Sequence, residues 1–292
     1  MQLPAPARMG MPLPRLTMPR PAMPKVRVPL PAVPRLGLPR GSGRRGPGAP
    51  PVRLLVTEGP RAAVELGVLG ASLPLMAVQR RGDGHPVLVL PGLLGGDAST
   101  AALRAYLSLL GYSVSGWNLG ANVGPTEKVV SGLRDRVEKL AEDAGRPVSL
   151  VGWSLGGLYA HELARRSPAS VRQVLTLGSP VRLARAGKAG SRLFDQFSHL
   201  NPAPSAVPRP WSEAGPLRVP VTAVYTKGDG IVDWRSCRVR PGARRENVEV
   251  YGSHYGLAHN PTVLHVLADR LAQPERGWRP FRPNALVRHA YP

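Results

Sequence analysis

Cysteine is nearly missing from this 292-residue chain: Cys237 is the only one. That excludes an intrachain disulfide framework and a multi-cysteine metal site. Its neighbours Arg235, Ser236, Arg238 and Val239 form no glycine-flanked bend that would expose a nucleophile, so it reads as a structural thiol. Aromatic residues are scarce as well, at 5%. Acidic residues number 18 against 39 Lys and Arg, a formal charge of +21, which would ordinarily raise nucleic acid or an anionic surface as partner. The basic residues are nearly all Arg, scattered among Ala, Gly and Pro, with no stripe interleaved with aromatics. A composition bias fits this better than a nucleic-acid-binding face. Long apolar runs are also lacking. The best, Ala62 to Val78, is broken by Glu65 and Pro74 and is short for a membrane span. The start of the chain has no apolar run of the secretory kind, so a cytoplasmic location is expected.

Proline, by contrast, is abundant at 34 residues and crowds the amino end. Residues 1 to about 51 are near-repeats such as Met11-Pro12-Leu13-Pro14-Arg15 and Leu38-Pro39-Arg40. Proline fixes φ and removes amide donors, so neither helix nor sheet can propagate here. The same density forbids the amphipathic helix of an organelle transit peptide. This segment is expected to be disordered and extended, with a membrane or polymer surface as a contact its basic charge could serve.

From Val52 the pattern changes. Pro60 suits a first helical turn, and Arg61 to about Met76 has helical spacing. Residues 52–85 then form a helical extension. Val87 to Leu90 reads as a buried strand followed by the turn Pro91-Gly92-Leu93-Leu94-Gly95-Gly96. A helix is expected from Ala98 to Leu110, with Asp97 or Ser99 as cap, and a strand over Tyr112 to Trp117. Thr126 should cap a helix through Val129, Val130, Leu133, Val137 and Leu140. Strands are expected at Val148–Val151, Val171–Leu177, Val221–Tyr225 and Asn247–Val250. Leu155 to Arg166 should be a helix, and Asn260-Pro261 should open the last one. Short apolar strands alternating with amphipathic helices give an α/β class, a doubly wound, mostly parallel sheet over 86–275. Residues 276–292 are left as a tail. Between about 180 and 218 the alternation lapses, as expected of a lid-like insertion over the carboxyl edge, where such folds bind ligands.

The chemical signal is Gly152-Trp153-Ser154-Leu155-Gly156. Gly-x-Ser-x-Gly alone is weak, but here it lies between a strand and a helix, where a tight turn can hold Ser154 clear of the sheet. A serine hydroxyl needs an imidazole to take its proton. Among the seven histidines, His254 follows a strand in the loop Tyr251-Gly252-Ser253-His254-Tyr255-Gly256. His161 and His265 lie within helices, His85 precedes a strand, His259 adjoins a helix cap, His289 is in the tail and His199 is in the insertion. The acid partner is Asp229 in Lys227-Gly228-Asp229-Gly230, preferred to Asp233, which could instead brace the loop. Two amides must meet an oxyanion: Leu155, at a helix amino terminus, and Leu93 in the turn after the first strand.

These pieces resemble the α/β-hydrolase superfamily, and within it the bacterial lipase/esterase-like branch. The matching segments are Leu90 to Gly96, Gly152 to Gly157, Gly228 to Asp233 and Gly252 to Leu257. One departure is Pro91-Gly92 where many lipases have His-Gly. The resemblance implies nucleophile Ser154, acid Asp229, base His254 and an acyl-enzyme formed from an apolar carboxylic ester or lipid. No metal or organic cofactor is called for. Leu93, Leu94, Trp117, Trp153 and Trp211 are candidates for the acyl pocket, with core packing the alternative for each Trp. Three other readings stay open: acyl transfer to an alcohol or amine, halide-dependent peroxide chemistry, and a non-catalytic binding protein tethered by its Pro-rich tail.

Overall fold

Val-Leu-Val-Leu, Val-Ser-Leu-Val and similar runs form a sheet buried on both faces in the computed structural model, which describes residues 50–182 and 216–292. The strands are β1 (Pro86–Leu90), β2 (Ser113–Ser115), β3 (Val148–Trp153), β4 (Val171–Leu177), β5 (Val221–Tyr225) and β6 (Arg245–Glu249). They pair in parallel in the order β2-β1-β3-β4-β5-β6. Around them run α1 (Val52–Val56), α2 (Glu58–Ala77), α3 (Ala101–Leu109), α4 (Glu127–Ala144), α5 (Leu155–Arg166) and α6 (Pro261–Leu271).

Successive strand residues face opposite sides, so each half of the core draws on alternate positions. Val87 and Val89 pack with Leu69 and Met76 of α2, Leu103 and Leu107 of α3, and Leu264 and Leu267 of α6. Leu88 and Leu90 pack on the other face with Leu133 and Val137 of α4 and Leu158 of α5. The strand order reverses between β1 and β3, where Leu90 lies level with Gly152. Doubly wound sheets open a crevice at the carboxyl ends of such a pair.

The expected elements fall close to where the periodicity puts them, and the main departures are these. The strand expected over Tyr112 to Trp117 pairs only at Ser113–Ser115, because Asp97 takes the amides of Trp117 and Asn118. Asp97 therefore does not cap α3, which opens instead with a 3-10 turn over Asp97–Thr100. The last strand begins at Arg245, two residues before its apolar part, since Arg245 and Glu246 pair with Val221 and Thr222. Helix α2 begins at Glu58, ahead of the expected Arg61, and its Glu58 side chain is buried. The proposed insertion, and the Pro-rich segment through residue 49, lie outside the described residues. No helix among the described residues is long and apolar enough to cross a membrane.

Candidate active site

β3 ends directly in α5, and the residue at the junction is Ser154, at φ 53° and ψ −119°. Only a very close approach of strand and helix permits this bend. A Cβ on Gly152 would collide with the backbone of Gly157, and one on Gly156 with the carbonyls of Leu90 and Pro91. The Ser154 amide is tied to the Leu177 carbonyl at 2.8 Å, so the hydroxyl projects at the mouth of the crevice, at the amino terminus of α5.

Two further loops converge on it. The loop after β5 carries Asp229, and the loop after β6 carries His254, both buried. His254 Nε2 lies 3.0 Å from Ser154 Oγ, and Nδ1 lies 2.6 Å from Asp229 Oδ2. The other Asp229 oxygen accepts from the amides of Ile231 and Val232 at 2.8 and 2.7 Å, which fixes the carboxylate plane. Burial depresses the His254 pKa, but the charge and hydrogen bond of Asp229, helped by the charge of Glu58, outweigh it and leave the imidazole above its ordinary value. Such a chain can draw a proton from Oγ to Nε2 and stabilise the resulting imidazolium. Asp233 is not part of it: its Oδ1 accepts from the Arg235 amide at 3.0 Å and braces its own loop.

The same three residue types meet again at the opposite end of the sheet. His85 Nδ1 is 2.6 Å from Asp83 and Nε2 is 3.1 Å from Ser149 Oγ. Here both Ser149 and His85 are fully buried, and Ser149 stands within β3. No reactant can reach that hydroxyl, and no helix terminus faces it. Distance alone does not distinguish the two sets; the bend that leaves Ser154 only half-buried does.

No protein-family model matches the sequence, nor does any curated protein. Solved structures match it in fold. A probable hydrolytic enzyme from Pseudomonas aeruginosa PAO1 superposes with a TM-score of 0.50 at 14% identity, over 68% of this chain and 88% of that one. The fold is that of the α/β-hydrolases. An α/β-hydrolase enzyme from the metagenome of sediments of the Mar Chica lagoon, Morocco, matches at 20% identity over 65% of this chain and 90% of its own, with a TM-score of 0.45. Aspergillus fumigatus lipase B matches at 16% identity over 65% of this chain and 52% of its own, at 0.49.

Within this α/β-hydrolase fold the turn after β1 faces Ser154. Asn122, fully buried, holds it from three sides. Its side-chain amide donates to the Pro91 carbonyl at 2.9 Å, its carbonyl accepts from the Leu94 amide at 2.7 Å, and its amide donates to Gly95 at 2.7 Å. Tyr159 of α5 bonds the remaining Asn122 oxygen at 3.1 Å. Among the described residues neither the Leu93 nor the Leu155 amide has an acceptor. Leu94 is 63% exposed at a φ of 59°. The indole of Trp153 donates to the His254 carbonyl at 3.1 Å, so it supports the His254 loop. Trp117 is not a pocket residue. It is fully buried among Leu90, Leu133 and Leu158, and its N–H bonds the Gly120 carbonyl at 2.9 Å. Trp211 and His199 lie outside the described residues. Cys237 is buried, and burial pushes its thiol pKa well up, as befits a packing residue. No cluster of three or more His, Cys, Asp or Glu that could hold a metal occurs among the described residues.

Sequence reasoning missed Asn122, and it missed Glu58, Arg61 and Glu65 of α2, whose side chains reach the Asp229 and His254 loops. A signal was present for the latter. The three charges stand at i, i+3 and i+7 on a helix otherwise free of charge, which sets them on one face.

Proposed function

We propose that this chain is a serine hydrolase that cleaves apolar carboxylic esters through an acyl-enzyme on Ser154. The observation that carries this is the hydrogen-bonded series Ser154–His254–Asp229, with Ser154 half-buried on a strand-to-helix bend. His254 Nε2 removes the Oγ proton as Oγ adds to the ester carbonyl. The oxyanion so formed is met by the amides of Leu155 and Leu93, the former also favoured by the positive end of α5. Collapse breaks the C–O bond, and the imidazolium returns its proton to the departing alcohol. A water then repeats the sequence and releases the carboxylic acid with Ser154 restored. Leu93, Leu94 and Trp153 around the bend favour an apolar acyl group.

A fluorophosphonate probe should label the wild type and leave Ser154→Ala unlabelled. Equal labelling of the two proteins would remove Ser154 from the reaction. His254→Ala should lose on the order of 10³-fold or more in turnover. A series of p-nitrophenyl esters reads the acyl preference, and added alcohol separates hydrolysis from acyl transfer by its products.

A further inference from the structure

Asp229 and His254 stand on loops from different strands, and past the pairing of Tyr225 with Glu249 the sheet no longer sets their spacing. Helix α2 joins them. Glu58 is 1% exposed; its Oε1 accepts from the Gly230 amide at 2.7 Å and its Oε2 from the Tyr255 amide at 3.0 Å. One carboxylate thus ties the residue after Asp229 to the residue after His254. Arg61 ties the residue before Asp229 to the one two before His254: Nη1 donates to the carbonyls of Gly228 at 2.7 Å and Gly252 at 3.2 Å, while Nη2 pairs with Glu58 at 2.9 Å. Glu65 completes the grip, accepting from the amide and hydroxyl of Ser253 at 2.8 and 2.7 Å and from Asn260 at 2.8 Å.

Burying a carboxylate is strongly unfavourable unless it is paired and fully hydrogen-bonded. An apolar side chain would serve if α2 only needed to pack, as it does at Leu69 and Met76. We infer that Glu58, seconded by Arg61 and Glu65, is a positioning residue that sets the distance between Asp229 and His254. This rests on the proposed roles of those two residues. The geometry gives it a second effect. Among the described residues, the groups that face His254 are Asp229, Ser154, Trp153, Tyr255 and, across from α2, Glu58, whose negative charge favours the imidazolium. Removing that charge lowers the pH at which His254 becomes neutral. The acid limb of the rate profile then moves to lower pH, a change that loss of folding alone does not produce.

The test compares wild type with Glu58→Ala, Glu58→Gln and Glu65→Gln in p-nitrophenyl ester hydrolysis, with thermal melts and an NMR titration of His254 on each protein. Misplacement of reacting groups by about an ångström costs roughly 100-fold. Glu58→Ala should therefore lose about 10- to 100-fold in kcat with KM little changed. Glu58→Gln keeps an acceptor for Gly230, so it should lose less while shifting the His254 titration to lower pH. If Glu58→Ala does not fold, the isosteric Gln variants carry the comparison. A kcat within about twofold of wild type together with an unmoved His254 titration overturns the inference. The titration needs no substrate, so an inert wild type would count against the proposed function while the titration still judges Glu58.

Discussion

Ser154 sits at a positive φ that only glycine adopts without strain, and a residue held there costs of order 1–3 kcal/mol. The rest of the bend forces that conformation on it, because Gly152 and Gly156 bring strand and helix too close for any other path. A comparison of two substitutions follows. Ser154→Ala removes the hydroxyl and keeps the strain. Ser154→Gly removes both, at the expense of about 0.5–1 kcal/mol of extra freedom in the unfolded chain. Relief outweighs freedom, so urea denaturation should find Ser154→Gly more stable than Ser154→Ala by ~1 kcal/mol. Equal stabilities would mean that the bend is not strained. The glycine spacing that announced this bend was legible at the level of letters, because steric exclusion leaves no other residue type. Asn122 was not, since its partners come from two stretches remote from it in sequence, Pro91, Leu94 and Gly95 in one and Tyr159 in the other.

At the scale of elements, two helices begin with the same device and carry different loads. The Thr126 hydroxyl accepts from the Val129 amide at 3.2 Å and its carbonyl from the Val130 amide at 3.0 Å, both within the first turn of α4. Asn260 accepts from the Thr262 amide at 2.9 Å to cap α6, and its amide donates to Glu65 and to the Tyr251 carbonyl. Thr126→Ala should cost about 1 kcal/mol, the usual price of a lost cap. Asn260→Ala should cost roughly 1–3 kcal/mol more, because it also leaves buried acceptors unmatched. Chemical denaturation of the two variants checks the difference. Both caps were readable from sequence, as were the bounds of α5, β4 and β5, where apolar period and flanking Gly or Pro agree. The edges of the sheet were less so. The half-buried edge strands β2 and β6 need little apolar residue of their own, and their limits depend on what competes for their amides, as Asp97 does at Trp117.

Over the whole molecule, the histidines divide by the sign of their response to pH. Burial holds His85 below the ordinary value near 6.5, against the opposing hydrogen bond of Asp83. Burial also lowers His161 and His265. Below about pH 6.5 the unfolded chain takes up protons at these sites that the folded one refuses, so stability falls as the pH drops. His254 works the other way: its raised value contributes stability at acid pH that is lost as the pH rises through the folded value. Three groups against one predict a melting temperature that declines from pH 7 to 5, and His85→Gln should flatten the decline. A melting temperature that rose on acidification would contradict it. None of this was visible in the sequence, where seven histidines differ only in their neighbours and burial is a property of the finished fold.

His85 and His254 are thus a matched pair within one molecule. Each ring donates toward a carboxylate at 2.6 Å and faces a serine oxygen at 3.0 to 3.1 Å. Both rings are buried, but the serine of the first set is fully buried and that of the second is half-exposed. A spectroscopic change common to both rings reports temperature or bulk conditions, while one confined to His254 reports what has arrived at its serine. The protein carries its own blank.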